Sequence, residues 1–68
     1  MAYTLNDVLL YKDQIPKHYY VVILLWAANK NYSQIANELQ IPIGTVKSRT
    51  YRAQRIIDKL REANAAAS

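Results

Sequence analysis

The sequence predicts an all-α domain of four helices, the last of them long and basic, and three observations lead to this prediction. Apolar residues make up 51% of the 68 residues, which is too many for a disordered chain, and most recur at helical spacing. The run from Tyr19 to Trp26 has the composition of a strand, but no second strand is predicted to pair with it. A single glycine and the lack of a long polar run leave no linker, so residues 1–68 are predicted to form one domain.

Capping and proline signals delimit the first two helices. Thr4 is a suitable N-cap, and Asp7, three residues later, is the reciprocal acid of a capping box. Pro16 disfavours helical geometry at Ile15 and suits the first turn of a second helix, which we expect to run to about Asn29.

The third and fourth helices are separated by a tight turn. Asn31 is a good N-cap for the third helix, with Gln34 at the capping-box position. We expect a turn at residues 40–41 and a fourth helix that begins at Pro42 and ends at about Ala63, followed by a frayed end. The predicted buried stripe of the third helix is Ile35, Ala36 and Leu39.

The fourth helix has two chemically distinct faces. One face carries apolar positions spaced by four and three residues: Val46, Thr50, Ala53, Ile57 and Leu60. The opposite face carries cationic and hydrogen-bonding side chains: Lys47, Ser48, Tyr51, Arg52, Arg55 and Lys59. The helix is therefore expected to bury one side and to present the other.

Positive charge is concentrated on this last helix. From Gly44 to Arg61 there are six basic residues and one acid, a net charge of +5, whereas residues 1–43 contain three basic and three acidic residues. Glu62 reduces the total to +4. Positive charge focused on one element is typical of a protein that binds a polyanion.

The order of elements predicts a helix-turn-helix motif. A short helix, a tight turn and a longer basic helix follow one another, and in this motif the second helix enters the DNA major groove. The small Ala36 permits a close crossing of the two helices, and Val46 is expected to fill the angle between them.

The sequence from Asn31 to Ala53 resembles region 4 of bacterial sigma-70-type factors, especially the extracytoplasmic-function group. The run Gly-Thr-Val-Lys-Ser-Arg at residues 44–49, followed by Arg52 and Ala53, carries this resemblance most specifically. With the apolar helix that follows Pro16, the resemblance covers residues 5–62.

The resemblance implies a domain that recognises the minus-35 promoter element of double-stranded DNA and docks on the β flap of RNA polymerase. By position, the side chains that face the major groove would be Lys47, Ser48, Tyr51 and Arg52, while Arg49 and Arg55 would meet phosphates. Backbone N–H groups around Ile43, Gly44 and Thr45, at a helix start, suit a phosphate.

This chain departs from the family pattern at three positions. Gln40 stands where glycine is usual, so a positive φ there would cost about 1 kcal/mol. Thr50 replaces a larger aliphatic residue, and Gln54 replaces a basic one. The 68 residues leave no room for region 2, so the chain is either an excised domain or a small stand-alone protein with this fold.

The second helix is apolar nearly all round, and surplus apolar surface marks a partner site. The partner would be polymerase, an anti-sigma or co-sigma protein, or a second copy of the chain. Two alternatives to a promoter-reading module remain open: a stand-alone dimeric helix-turn-helix regulator, and a co-sigma-like protein that binds chiefly polymerase or another protein.

Several functional classes are not expected. The chain has no cysteine, no Ser/His/Asp set and no glycine-rich phosphate loop, so we expect neither an enzyme nor a metal or cofactor site. His18 is the only histidine and is interpreted as an ordinary surface residue. The longest apolar run, ten residues from Tyr19 to Ala28, is too short to span a bilayer, and we expect a cytoplasmic, nucleoid-associated protein of bacterial or phage type.

Overall fold

The structure, a computed structural model, describes residues 4–67. These residues form four α-helices and no strand: α1 (Leu5–Leu10), α2 (Lys17–Ala27), α3 (Tyr32–Leu39) and α4 (Ile43–Ala67). A 3-10 turn, Lys12–Gln14, lies between α1 and α2. The all-α prediction is therefore confirmed for the described part of the chain.

Helix α1 begins with the predicted capping box. The Asp7 N–H donates to Thr4 Oγ1 at 3.2 Å, and the Thr4 N–H donates to Asp7 Oδ2 at 3.1 Å. These two bonds satisfy backbone donors that the first turn of a helix otherwise leaves without partners. The hydrogen bonds with Thr4, first its backbone and then its side chain, and a smaller attraction from Arg61 lower the pKa of Asp7 below its ordinary value of 3.8.

Helix α2 is slightly shorter than predicted at both ends. Ile15 is extended, with φ −110° and ψ 129°, and Pro16 is the N-cap rather than a first-turn residue. The helix ends at Ala27, two residues before the expected Asn29, because Asn29 has a left-handed φ of 72° and cannot continue it.

Helix α3 has the predicted capping box and ends in a left-handed residue. Gln34 N–H donates to Asn31 Oδ1 at 2.8 Å, and Asn31 N–H donates to Gln34 Oε1 at 2.9 Å. Gln40 follows with φ 56° and ψ 47°, so the turn has the positive φ that would favour glycine. The Gln40 side chain donates to the Asn37 carbonyl at 2.6 Å, a local bond that helps to hold this conformation.

Helix α4 begins at Ile43 and extends to Ala67, four residues beyond the predicted end at Ala63. A hydrogen bond connects these last turns to the segment that follows α1, because Asn64 Nδ2 donates to Tyr11 Oη at 3.1 Å. A helix of 25 residues is roughly 37 Å long, which accounts for the 40 × 18 × 17 Å dimensions of the domain. The C-terminal end that was expected to fray is helical as far as Ala67, while residues 1–3 and 68 lie outside the described residues.

The core consists of two hydrophobic clusters. We call the first the large cluster, and its buried members are Val8, Tyr11, Ile15, Ile23, Ala27, Ala53 and Ile57. The second, the small cluster, has three buried members, Val22, Ile35 and Val46. The large cluster joins α1 and α2 to the middle of α4, and the small cluster joins α2 and α3 to the start of α4.

Helix α2 contributes to both clusters, which explains its apolar character on nearly every side. Its neighbouring residues Val22 and Ile23 are both completely buried, one in each cluster, and Trp26 packs against both. No large apolar side chain of α2 is among the fully exposed ones, but six are only half-buried: Tyr19, Tyr20, Val21, Leu24, Leu25 and Trp26. The exposed large apolar residues among the described residues lie on α1 and α4: Leu5, Leu9, Leu10, Ile43 and Tyr51.

Candidate nucleic-acid interface

The buried face of α4 is the one that the residue spacing predicted. Val46, Ala53 and Ile57 are completely buried, Thr50 is 1% exposed, and Leu60 is half-buried. The Thr50 hydroxyl donates to the Val46 carbonyl at 2.8 Å, so this buried polar group has a partner. Burial of this face holds the helix so that its cationic side points to solvent.

The exposed charge of α4 is uneven along its length. Residues 43–57 contain four cations, Lys47, Arg49, Arg52 and Arg55, and no acid. Residues 58–67 contain two cations and two acids, so their net charge is zero. Asp58 and Glu62 share a shallow groove with Arg55 and Lys59. The uncompensated positive charge therefore belongs to Lys47, Arg49 and Arg52, in the part of the helix that follows the turn after α3.

One stripe of the first half of α4 points fully outward. It consists of Lys47, Tyr51 and Arg55, spaced four residues apart and all exposed. Tyr51 is 58% exposed and is therefore not a core residue. Arg55 Nη1 donates to Tyr51 Oη at 3.2 Å, and its guanidinium lies 5.8 Å from the centre of the Tyr51 ring. This pair presents an aromatic surface and a cation side by side.

A second stripe of α4 forms one wall of an open cleft. It consists of Thr45, Ser48, Arg49 and Arg52, with Gly44 at the end nearest the start of the helix. The other wall is the first turn of α2, with His18 and Tyr19, and the cleft has a volume of about 370 Å³. Arg49 and Thr45 are half-buried, whereas Ser48 and Arg52 are exposed.

His18, predicted from the sequence to be an ordinary surface residue, is exposed but lies in the candidate cleft. The fold places it in the same cleft as Arg49 and Arg52, 31 and 34 residues later in the chain. Its ring lies 4.1 Å from the Tyr19 ring, centre to centre, with the planes inclined at 42°. A lone histidine gives no local signal of this position, because the separation in sequence is long.

The backbone donors at the start of α4 are fewer than expected. The N–H groups of Thr45 and Val46 both donate to the Pro42 carbonyl, at 3.0 and 3.2 Å. Thr45 N–H is therefore already engaged, which corrects its place in the predicted phosphate-binding set. The N–H groups of Ile43 and Gly44 precede the first helical hydrogen bond and keep the outward orientation of a helix start.

Acidic groups are remote from this surface or paired. Lys30 Nζ donates to Glu38 Oε1 in an ion pair between the loop after α2 and the exposed side of α3. No acid occurs between Gln14 and Asn37, the segment that contains the α2 wall of the cleft. The surface formed by the start of α4 and the first turn of α2 is thus positive without local compensation.

The comparisons with known proteins add no relatives. No family model matches this chain, and neither a curated protein nor a solved structure matches it. Within residues 4–67, no set of three or more histidine, aspartate or glutamate side chains is placed to hold a metal ion. None of the helices in the described segment combines the length and apolar character that a bilayer crossing requires.

Proposed function

We propose that this chain binds double-stranded DNA as a transcription factor domain, with α3, the turn at residues 40–42 and α4 acting as a helix-turn-helix. One observation carries the proposal. The first half of α4 has four cations and no acid on its exposed sides, while its opposite face is buried against α2 and α3. A helix that is anchored on one side and cationic on the other fits the major groove and neutralises the phosphates beside it.

The side chains of α4 divide into two roles in this proposal. Lys47, Ser48, Tyr51 and Arg52 are exposed and contact base edges, where an arginine can donate two hydrogen bonds to guanine. Arg49 and Arg55 contact phosphates and fix the register of the helix on the duplex. Thr45 lines the cleft, and its hydroxyl is a further hydrogen-bond donor to these phosphates.

The biological role that we propose is that of sigma region 4: reading a minus-35-type element and docking on RNA polymerase, in the cytoplasm and without catalysis or a cofactor. The exposed side of α1 suits the polymerase contact, because Leu5, Leu9 and Leu10 are 41, 47 and 70% exposed there. Large apolar side chains grouped on one short helix are typical of a protein contact.

The test is a selection of randomised double-stranded DNA against the purified chain at low salt, followed by affinity measurements on the enriched sequence. Arg52→Ala should weaken specific binding and relax the preference at one base pair, a loss of about 1–3 kcal/mol. Lys59→Ala is the matched control, because Lys59 lies in the charge-balanced half of α4 and shares a groove with Asp58 and Glu62. It should change affinity little.

The outcome of the selection separates the candidate functions. A short asymmetric motif that depends on Arg52 supports a monomeric promoter reader. A palindromic motif supports the dimeric helix-turn-helix regulator instead. If no motif is enriched, the DNA proposal is wrong, and the exposed leucines of α1 make a polymerase-binding or other protein-binding role the alternative to test next.

A further inference from the structure

One wall of the cleft beside α4 comes from a helix outside the helix-turn-helix. His18 is exposed on the first turn of α2, and its neighbour Tyr19 is half-buried and packs against the large cluster. The two rings lie 4.1 Å apart. Because Tyr19 is anchored in the core, His18 is held at the cleft by a rigid part of the fold.

The groups that face His18 are positive or neutral. Arg49 and Arg52 line the cleft from α4, Tyr19 adjoins it on α2, and Lys17 precedes it in the chain. Ser48 and Thr45 bring hydroxyl groups to the same cleft, and no acid lines it. The Arg49 guanidinium, the His18 imidazole and the Thr45 hydroxyl form a set of hydrogen-bond donors that suits a phosphate oxygen, while Arg52 and Ser48 keep the base-contacting roles proposed above.

We propose that this cleft binds a backbone phosphodiester of the DNA that α4 reads, held by Arg49 and His18, so that the affinity for duplex DNA depends on pH. The inference rests on the proposed function and deepens it. It adds α2 to the DNA-contacting surface and assigns His18 a role as a phosphate ligand.

The pH dependence follows from the charges around His18. An imidazole gains its proton between about pH 8 and pH 5. A phosphate bound in the cleft attracts an imidazolium more strongly than a neutral imidazole, because the two charges are opposite. DNA binding therefore takes up a proton, and affinity falls as pH rises through this range.

The experiment measures binding of a fluorescent duplex carrying the selected motif from pH 5.5 to pH 8.0 at several salt concentrations. For the unmodified protein, affinity should fall on the order of three- to tenfold across this range, as expected for one charged contact. The His18→Gln variant should bind with little dependence on pH. At pH 5.5 we also compare how steeply log affinity falls with log salt. This slope should be steeper for the unmodified protein than for His18→Gln by about 0.9, the value for one phosphate contact.

Lys17→Gln provides the matched control. Lys17 adjoins His18 in the first turn of α2 and is exposed, but it does not line the cleft. This variant should keep the pH dependence of the unmodified protein. If the duplex binds but His18→Gln shows the same pH dependence as the unmodified protein, the cleft proposal is overturned and the DNA-binding proposal stands.

A separate arm decides the question if no duplex binds, an outcome that contradicts the proposed function. His18 is the only histidine, so its ring proton resonances can be followed by NMR without ambiguity during a titration with inorganic phosphate. A saturable shift that weakens in Arg49→Gln supports a phosphate site filled from a source other than DNA. No saturable shift overturns the cleft proposal as well.

Discussion

The large and small clusters differ in what they hold. The large cluster has seven buried residues and joins α1, the 3-10 turn and α2 to the middle of α4, where Ala53 and Ile57 enter it. The small cluster has three and supports α3 and the first turns of α4 through Ile35 and Val46. Seven of the ten buried apolar side chains in residues 4–67 therefore belong to the cluster that α3 does not enter.

This difference indicates that α3 is the more easily disturbed part of the proposed helix-turn-helix. Ile35 is the one buried residue of α3, an eight-residue helix. An isolated helix of that length is unstable in water and depends on tertiary packing. The position of α4 is doubly secured, because it enters both clusters, whereas the position of α3 depends on the small cluster.

The largest expected effect comes from Ile35→Ala. Removing a buried isoleucine side chain costs about 2–5 kcal/mol, and here the loss falls on the only buried anchor of α3. We expect hydrogen-exchange protection to fall first in α3 and the first turns of α4, while α1 and the second half of α4 stay protected. Specific DNA binding should be lost with α3, and both changes are measurable on one sample by NMR and anisotropy.

Ile23→Ala is the matched comparison, since Ile23 is equally buried but belongs to the large cluster. It should lower protection throughout residues 4–67 at once. Leu10→Ala controls for apolar truncation at the surface, because Leu10 is 70% exposed, and should change stability by less than about 1 kcal/mol. If Ile35→Ala and Ile23→Ala give the same uniform loss of protection, the two clusters unfold as one unit and the contrast between them is wrong.

A smaller effect is expected at the turn between α3 and α4. Gln40 has a φ of 56°, and a left-handed conformation costs about 1–2 kcal/mol in a residue with a side chain. Gln40→Gly removes this cost but loses the bond to the Asn37 carbonyl and adds entropy to the unfolded chain. We expect a net stabilisation of about 0.5–1 kcal/mol, seen as a Tm higher by several degrees in thermal unfolding.

Asn29→Gly is the control for this substitution, because Asn29 also has a left-handed φ, 72°, at the end of α2. Asparagine tolerates this region better than glutamine. The gain in Tm should therefore be smaller than for Gln40→Gly. If Asn29→Gly raises Tm more than Gln40→Gly does, the turn between α3 and α4 is not the more strained of the two.

Local features of the fold were predictable from the sequence, whereas features that depend on how helices meet were not. Both capping boxes lie within four consecutive residues, so Thr4–Asp7 and Asn31–Gln34 could be identified without knowledge of the fold. The buried stripe of α4 followed from its spacing. Burial of α2 on two sides could not be inferred, because it requires α1 and α3 to lie on different faces of that helix.

The candidate site shows the same limit. Spacing alone predicted which side of α4 is exposed, from Lys47 to Arg55. The division of that side into an outward stripe and a cleft wall depends on where α2 begins, which only the tertiary structure gives. The contact of Asn64 with Tyr11, which accompanies the longer α4, is likewise long-range and had no local signal.

The smallest expected effect concerns the cap of α1, on the side of the large cluster. The hydrogen bonds with Thr4 lower the pKa of Asp7 below 3.8, so its carboxylate stabilises the fold at neutral pH, and this contribution is lost as pH falls through the lowered pKa. Asp7→Asn should lower the urea midpoint slightly at pH 7, and the difference from the unmodified protein should shrink below pH 3.8 as Asp7 is protonated.

Asp13→Asn, at an exposed position of the 3-10 turn, is the control. A difference that persists unchanged at pH 2.5 would mean that Asp7 acts through packing or shape rather than charge. Because α1 packs into the large cluster through Val8 and does not enter the small one, loss of its cap should leave the protection pattern of α3 and the start of α4 unchanged.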